Sequence, residues 1–102
     1  MNVIAPRTIR DFIEQHPESE TALREWYNAL RRNDHPHFAA LRQAFVVDVA
    51  RNDQGDPVHI FDVAGNHYRV ICFLNYENQT AYIKYVFTHR DYSKWNEGGK
   101  PA

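Results

Sequence analysis

The spacing of apolar residues changes near Pro57, and this change constrains the fold more than any other feature of the sequence. Before it, the apolar residues of Ile9–Ile13 recur at i, i+3 and i+4, and those of Leu23–Leu30 extend the same pattern to i+7. That spacing is typical of amphipathic helices. It predicts a first helix over residues 6–16 and a second, with Ser19 as its N-cap, that ends at residues 33–34.

Shorter segments surround these two helices. Residues 2–4 fit a short edge strand. The apolar spacing of Phe38, Leu41 and Phe45 predicts one or two helical turns in a less regular stretch. Residues 52–57 are polar and rich in turn formers, which indicates a loop.

After Pro57 the sequence becomes strand-like. The segments 58–64 and 67–76 are predicted to form a hairpin around a two-residue turn at Gly65-Asn66, and Thr80–Thr88 a third strand. Thr88 and Asp91 fit a helix-capping pattern that opens a last helix, which reaches about residue 96. Helices followed by an antiparallel meander and a terminal helix predict one α+β domain over residues 1–102.

Composition excludes several classes of protein. The formal net charge is −1, which argues against coating nucleic acid through bulk charge but allows an enzyme that grips a few nucleotides. Cys72 is the only cysteine and lies in an apolar run, so we expect a buried thiol and no disulfide. The sequence shows no secretory signal and no apolar run of about 20 residues, so we expect a cytoplasmic protein that does not enter a membrane.

The first candidate for chemistry is Arg69. A two-residue turn at Gly65-Asn66 places Asp62 opposite Arg69 in the hairpin, with His67 on the same side. The simpler interpretation is an ion pair across the strands, which spacing alone favours. The functional interpretation is a phosphate clamp, because a guanidinium is always charged and offers forked donors.

His89 is the second candidate. It directly follows the third strand and lies in the first turn of the capped helix, where backbone N–H groups favour an anion such as phosphate. An imidazole titrating near neutrality is suited to move a proton during RNA cleavage through the ribose 2′-hydroxyl. The alternative is a surface histidine without a function, and position alone leaves both open.

Neighbouring side chains are further candidates. Tyr92 lies one helical turn after His89, where its ring is suited to stack on a base, and Trp95 is expected to pack the helix onto the sheet. Lys84 and Arg90 are weaker candidates for RNA contact, since each is also explained as a solvated cation. A metal site is not expected, because the pair at His35 and His37 lacks helical spacing and no carboxylate cluster accompanies it.

Two motifs carry a resemblance to a known family. The hairpin holds G-N-x-x-R over residues 65–69, and T-H-x-x-Y follows the last strand over residues 88–92. With the surrounding runs 61–71 and 82–92, they resemble the HigB toxins of type II toxin–antitoxin systems, and the likeness extends over essentially the whole chain. Ala64 stands where many relatives have glycine.

The resemblance implies a RelE-like fold, with helices on a twisted antiparallel sheet, and an mRNA interferase that acts on messages, commonly during translation on the ribosome. Arg69, His89 and Tyr92 match the family's catalytic positions, and Lys84 a basic position in the last strand. Together with His67 and Arg90, Lys84 is assigned to RNA binding. The implied partner is a HigA-like helix-turn-helix antitoxin, in a heterotetramer if that antitoxin is dimeric.

The mechanism that follows is transesterification without a metal or other cofactor. The 2′-hydroxyl attacks the adjacent phosphorus while Arg69 holds the non-bridging oxygens and His89 moves a proton. The alternatives are a non-catalytic RNA- or ribosome-binding module and a protein-interaction domain in which Asp62 and Arg69 form a structural pair.

Overall fold

The computed structural model describes residues 1–102 as four helices and five strands. The helices are α1 (Pro6–Gln15), α2 (Glu20–Arg32), α3 (Phe38–Ala44) and α4 (His89–Glu97). The strands are β1 (Asn2–Ile4), β2 (Val47–Arg51), β3 (Pro57–Val63), β4 (Tyr68–Asn75) and β5 (Thr80–Thr88). The expected α+β class is confirmed.

The five strands form one sheet in the order β1-β5-β4-β3-β2. Strands β2 to β5 make an antiparallel meander, and β1 adds to β5 in the parallel direction, with Val3 beside Ala81. The short strand expected at residues 2–4 is therefore confirmed as an edge. Asp62 pairs with Arg69 across β3 and β4, as the hairpin predicted.

Helices cover both faces of the sheet. Helices α1, α2 and α3 bury their apolar stripes, including Leu23, Leu30 and Leu41, against one face. Helix α4 lies on the other face, where Trp95 packs with Ile71. Arg69 lies two residues before Ile71 on β4, and residues two apart on a strand share a face. Helix α4, which follows β5 directly, therefore covers the face to which Arg69 belongs.

The predicted helices in the N-terminal half are present with similar bounds, and Ser19 occupies the predicted N-cap position of α2. Its side chain makes no capping bond to α2. Instead, Ser19 is fully buried and its hydroxyl donates to the carbonyl of His16 at 2.6 Å, closing a short 3₁₀ turn over Pro17–Ser19.

The hairpin turn also differs from the prediction. The strands end at Val63 and begin again at Tyr68, so the connection has four residues, 64–67, instead of two. Ala64 and Gly65 have φ of 54° and 64°, in the left-handed region that favours glycine. The register is unaffected, because the N–H of His67 donates to the carbonyl of Ala64 and closes the loop.

Sequence analysis missed β2. Only Val47 of this edge strand is buried, and Asp48, Val49 and Arg51 are exposed, so the alternation that marks a half-buried strand is weak. Its backbone pairs along the whole strand with β3. Nowhere does a helix combine the length and apolarity that a membrane crossing requires.

Candidate active site

Arg69 is held on β4 as a nearly buried cation. Its exposed fraction is 8%, and its Nε lies 2.9 Å from a carboxylate oxygen of Asp62. Nη1 donates to the carbonyl of Tyr68 at 3.2 Å, and Nη2 donates to the side-chain oxygen of Asn66. The cross-strand ion pair is therefore formed, and the hairpin turn contributes a second anchor.

These contacts leave part of the guanidinium without a protein acceptor. A guanidinium has five N–H groups in a planar fork. Two donate to Tyr68 and Asn66, and the Nε group faces Asp62, so one N–H on each terminal nitrogen remains. The structure thus combines a fixed orientation of Arg69 with two N–H groups that have no acceptor in the protein.

The start of α4 is fixed by two local interactions. The hydroxyl of Thr88 accepts a hydrogen bond from the N–H of Asp91 at 3.2 Å, which confirms the predicted N-cap. The N–H of His89 donates to the carbonyl of His67 at 2.9 Å. The second bond ties the first residue of α4 to the turn that carries Asn66, so the helix and the hairpin hold each other in place.

Tyr92 connects α4 to Arg69. The guanidinium carbon of Arg69 lies 5.1 Å from the centre of the half-buried Tyr92 ring, within the range of a cation–π contact. On its other side Tyr92 contacts Trp95, with ring centres 6.0 Å apart. Trp95 is buried, so its predicted packing role is confirmed.

The environment of Tyr92 raises the pKa of its hydroxyl. Burial is the largest cause; the positive charge of Arg69 opposes it, and the carboxylates of Asp62 and Asp48 reinforce it. Because an unperturbed tyrosine already titrates near pH 10, the hydroxyl stays protonated at neutral pH. It can donate a hydrogen bond there but cannot serve as an anionic base.

The three residues proposed for catalysis lie at one end of one sheet face. Tyr68 pairs with Thr88, so His89 follows β5 beside the hairpin turn, and Tyr92, one helical turn later, lies over Arg69. Arg69 and Tyr92 are in direct contact. His89 is exposed next to them, joined to the hairpin through its backbone.

The weaker candidates are placed at different distances from this group. His67 is exposed in the hairpin turn, beside His89, and Arg90 is exposed in the first turn of α4. Lys84 lies on the same face, with Nζ 5.3 Å from the ring centre of Phe73. Lys84 comes three residues before Phe87, which pairs with Arg69 across the strands. Lys84 therefore lies about 10 Å from the level of Arg69, measured along β5.

The site is an open surface. None of the three cavities in the protein is lined by Arg69, His89 or Tyr92. A small-molecule enzyme ordinarily closes its substrate in a deep pocket. An open surface beside a fixed cation and a half-buried ring suits a segment of a polymer.

Two neighbours of the candidate site escaped sequence reasoning. Asn66 was assigned only to the turn, although its side chain holds Arg69. Asp48 lies on β2, the strand that sequence analysis missed, and its negative charge contributes to the raised pKa of Tyr92. The G-N-x-x-R motif contains a signal for the first, since an asparagine three residues before an arginine in a tight turn can bond to it.

The histidines do not assemble a metal site. No three histidine, cysteine, aspartate or glutamate side chains converge anywhere in the chain. His35 is buried with its ring 5.5 Å from that of Phe45, whereas His37 accepts from the N–H of Ala40 through Nδ1 and caps α3.

Comparison with known proteins gives a consistent family. The family described as "HigB_toxin, RelE-like toxic component of a toxin-antitoxin system" matches residues 19–95. The chain is 24% identical to "mRNA interferase HigB" of Escherichia coli O6:H1, over 92% of the chain and 90% of that protein. It is 27% identical to "mRNA interferase toxin HigB" of Escherichia coli K12 and to "mRNA interferase HigB" of Shigella flexneri, over 90% of the chain and 88% of each relative.

The matched segment spans α2 to Trp95 and so contains both motifs and every residue of the candidate site. The four helices on an open, mostly antiparallel sheet fit the RelE-like description of that family. The chain therefore belongs to the HigB toxin family and is the toxic component of a toxin–antitoxin system.

Proposed function

We propose that the chain is an mRNA interferase, an endoribonuclease that cuts messenger RNA. Relatives that match about nine-tenths of the chain bear that name. The single observation that carries the proposal is the juxtaposition of Arg69, Tyr92 and His89 at one open end of the sheet. It offers a fixed cation for phosphate, a ring for a base and an imidazole for proton transfer.

The proposed reaction is transesterification at one RNA linkage. The ribose 2′-hydroxyl attacks the adjacent phosphorus, the bond to the 5′-oxygen breaks, and the products are a 2′,3′-cyclic phosphate and a free 5′-hydroxyl. The two free N–H groups of Arg69 bind the non-bridging oxygens, on which negative charge grows. His89 gives a proton to the leaving 5′-oxygen and regains one from solvent water, to which the attacking 2′-hydroxyl releases its own proton. Tyr92 stacks against or hydrogen-bonds the substrate.

Asp62 and Asn66 act as positioning residues in this scheme. They hold the guanidinium in one orientation before the substrate arrives. Such preorganisation lowers the barrier because no side chain has to reorder as charge develops. His67, Arg90 and Lys84 are assigned to the RNA on either side of the cut, with Lys84 the most distant.

The test is expression of the chain in bacteria together with mapping of new RNA ends. Arg69→Ala and His89→Ala are each expected to abolish growth arrest and to slow cleavage at least ~10²-fold. Matched controls are Arg32→Ala on the exposed end of α2 and His16→Ala next to α1, which should remain toxic. If both site variants remain fully toxic, the assignment is wrong.

The same experiment separates cleavage from simple binding. Growth arrest without new 5′ ends would show a non-catalytic RNA- or ribosome-binding module. Cleavage that persists in EDTA and leaves 5′-hydroxyl ends supports the metal-independent scheme, whereas 5′-phosphate ends would refute it.

Action during translation and the form of the antitoxin complex belong to the same proposal. A message without a ribosome-binding site should escape cleavage if the enzyme cuts on the ribosome. The mass of the complex with the co-encoded antitoxin should fit two toxins on a HigA-like helix-turn-helix dimer. A cut in the untranslated message would contradict action on the ribosome. A complex of one toxin with one antitoxin would contradict the proposed heterotetramer.

A further inference from the structure

We propose that a second RNA-binding subsite lies on the sheet face of the candidate active site, where the ring of Tyr82 stacks on a base and Lys84 binds a phosphate of the same strand. Both residues belong to the first half of β5, at the end of that strand remote from α4. The inference rests on the proposed function, because it assigns this surface to the RNA that is cut beside Arg69.

Tyr82 provides an aromatic ring that is open to solvent. It is the only phenylalanine, tyrosine or tryptophan of the chain that is exposed, and its exposed fraction is 44%. An exposed ring receives a base without rearrangement of the protein, and stacking accepts any base because every base has a π-face.

Pairing between strands places Tyr82 on the same face as Arg69. Tyr82 pairs with Phe73, which packs with Ile71 and Trp95 beneath α4. Phe73 comes four residues after Arg69 on β4, so Tyr82 is about 13 Å from the level of Arg69 along the sheet. At the ~3.4 Å rise of a stacked strand this distance corresponds to about four nucleotides, and an extended strand spans it with fewer.

A β-bulge sets the position of Lys84. Consecutive residues of β4 pair with Ile83 and Tyr85, so Lys84 between them is an extra residue without a partner on β4. Bulges re-aim a side chain and are over-represented next to active sites. Nζ of Lys84 lies 5.3 Å from the ring centre of Phe73, the residue that pairs with Tyr82. Lys84 and Tyr82 are thus both neighbours of one ring.

The charges of this surface favour RNA over a protein partner. Strands β1, β4 and β5 contain no aspartate or glutamate, whereas β4 and β5 carry Arg69 and Lys84. Lys84 forms no ion pair within the chain. The carboxylates of the sheet, Asp48 and Asp62, lie on β2 and β3, on the other side of Arg69 in the strand order. An unpaired cation beside an exposed ring, without a carboxylate on the same strands, attracts a phosphate backbone.

The neighbouring ring of Tyr85 is already engaged within the protein. Its hydroxyl donates to the carbonyl of Ala102 at 2.9 Å, and Nε1 of Trp95 donates to the carbonyl of Pro101 at 2.9 Å. The segment after α4 therefore lies across this part of the sheet. Tyr82 does not line the groove at that segment, so its ring remains open.

The experiment measures binding of the purified chain to 2′-O-methyl oligouridylates of two to eight nucleotides, by fluorescence anisotropy. The 2′-O-methyl group removes the attacking hydroxyl, so binding is observed without cleavage. Affinity should rise with length until the RNA reaches from Arg69 to Tyr82, at about four nucleotides. Tyr82→Ala should weaken binding of the longer RNAs at least fivefold, the loss that ~1 kcal/mol of stacking produces, whereas Tyr82→Phe should bind within twofold of the original chain.

Two further variants complete the design. Lys84→Gln should reduce the slope of log affinity against log salt concentration by ~0.7, as expected for one phosphate contact with a single strand. The matched control is Val49→Ala, because Val49 is also 44% exposed but pairs with His59, which contacts Phe38 of α3 on the opposite face. This control should bind within twofold of the original chain.

The results separate the subsite from the proposed function. Equal affinities of Tyr82→Ala and the original chain at every length, with native melting curves, would overturn the subsite, as would a failure of every RNA to bind. A dimer of the chain alone that Tyr82→Ala dissociates would show a second copy as the occupant and would also overturn it. Arg69→Ala should weaken binding at every length. If only Tyr82→Ala weakens it, the subsite stands and the phosphate role of Arg69 is refuted.

Discussion

The Asp62–Arg69 pair allows a quantitative test of how burial strengthens an ion pair in this fold. Arg69 is 9% exposed at its side chain and Asp62 is 31% exposed, with 2.9 Å between the charged atoms. Fully buried pairs cost about 3–5 kcal/mol when one partner is removed, whereas exposed pairs contribute about 0.2–1 kcal/mol. Because one partner keeps partial hydration, we expect a coupling of about 1–2 kcal/mol, between these limits.

The assay is a double-mutant cycle of Asp62→Asn and Arg69→Met in urea unfolding. Arg69→Met alone should cost about 2–4 kcal/mol, because it also loses the bonds to Tyr68 and Asn66 and leaves a half-desolvated carboxylate. The double variant should be more stable than the sum of the two losses predicts, by the coupling energy.

The protein contains its own control for this cycle. Glu20 and Arg24 on α2 lie 2.8 Å apart, but both are more than half exposed. Pairs of this kind contribute about 0.3–0.5 kcal/mol. If the Asp62–Arg69 coupling is no larger than that of Glu20 and Arg24, burial does not strengthen the pair and the reasoning is wrong.

Three further changes have defined outcomes. Burial lowers the pKa of His35 and of His59, and the N-terminal ammonium lowers that of His35 further. The unfolded chain therefore binds more protons than the folded chain below pH 6.5. As the pH decreases from 6.5, the unfolding free energy should fall by up to about 1.4 kcal/mol per pH unit for each histidine. Tyr92→Phe should keep at least a tenth of the cleavage rate, because the ring contact with Arg69 remains and the neutral hydroxyl is no base, whereas Tyr92→Ala should lose more. Ala64→Gly should raise the unfolding free energy by about 0.5–1 kcal/mol, because it relieves a positive φ at some cost in chain entropy.

Each of these predictions has a contrasting measurement. Chemical denaturation between pH 7.5 and 5.5 measures how steeply the unfolding free energy falls with decreasing pH. His59→Phe should make this dependence on pH shallower, and an unchanged dependence would contradict the histidine explanation. Equal loss of activity in both Tyr92 variants would assign the chemistry to the hydroxyl. Gln79→Gly also removes a side chain from a position with positive φ. However, the Gln79 side chain bonds both the N–H and the carbonyl of His35, so this substitution should destabilise the fold where Ala64→Gly stabilises it.

The sequence alone determined the features that depend on neighbours along the chain. Helical periodicity set the bounds of α1 and α2, and Thr88 with Asp91 set the start of α4. The hairpin around residues 64–67 fixed which residues of β3 and β4 pair, even though its turn is longer than predicted. These features are local, so propensity and spacing are sufficient to predict them.

Only the tertiary structure decided what depends on residues far apart in sequence. Strand β2 shows little alternation and exists because β3 offers it a partner. The placement of α4 opposite the first three helices brings Tyr92 over Arg69, although β4 and α4 are separated by β5. Packing across the sheet thus turned two separate motifs into one candidate site, and no local pattern encodes which face a helix will cover.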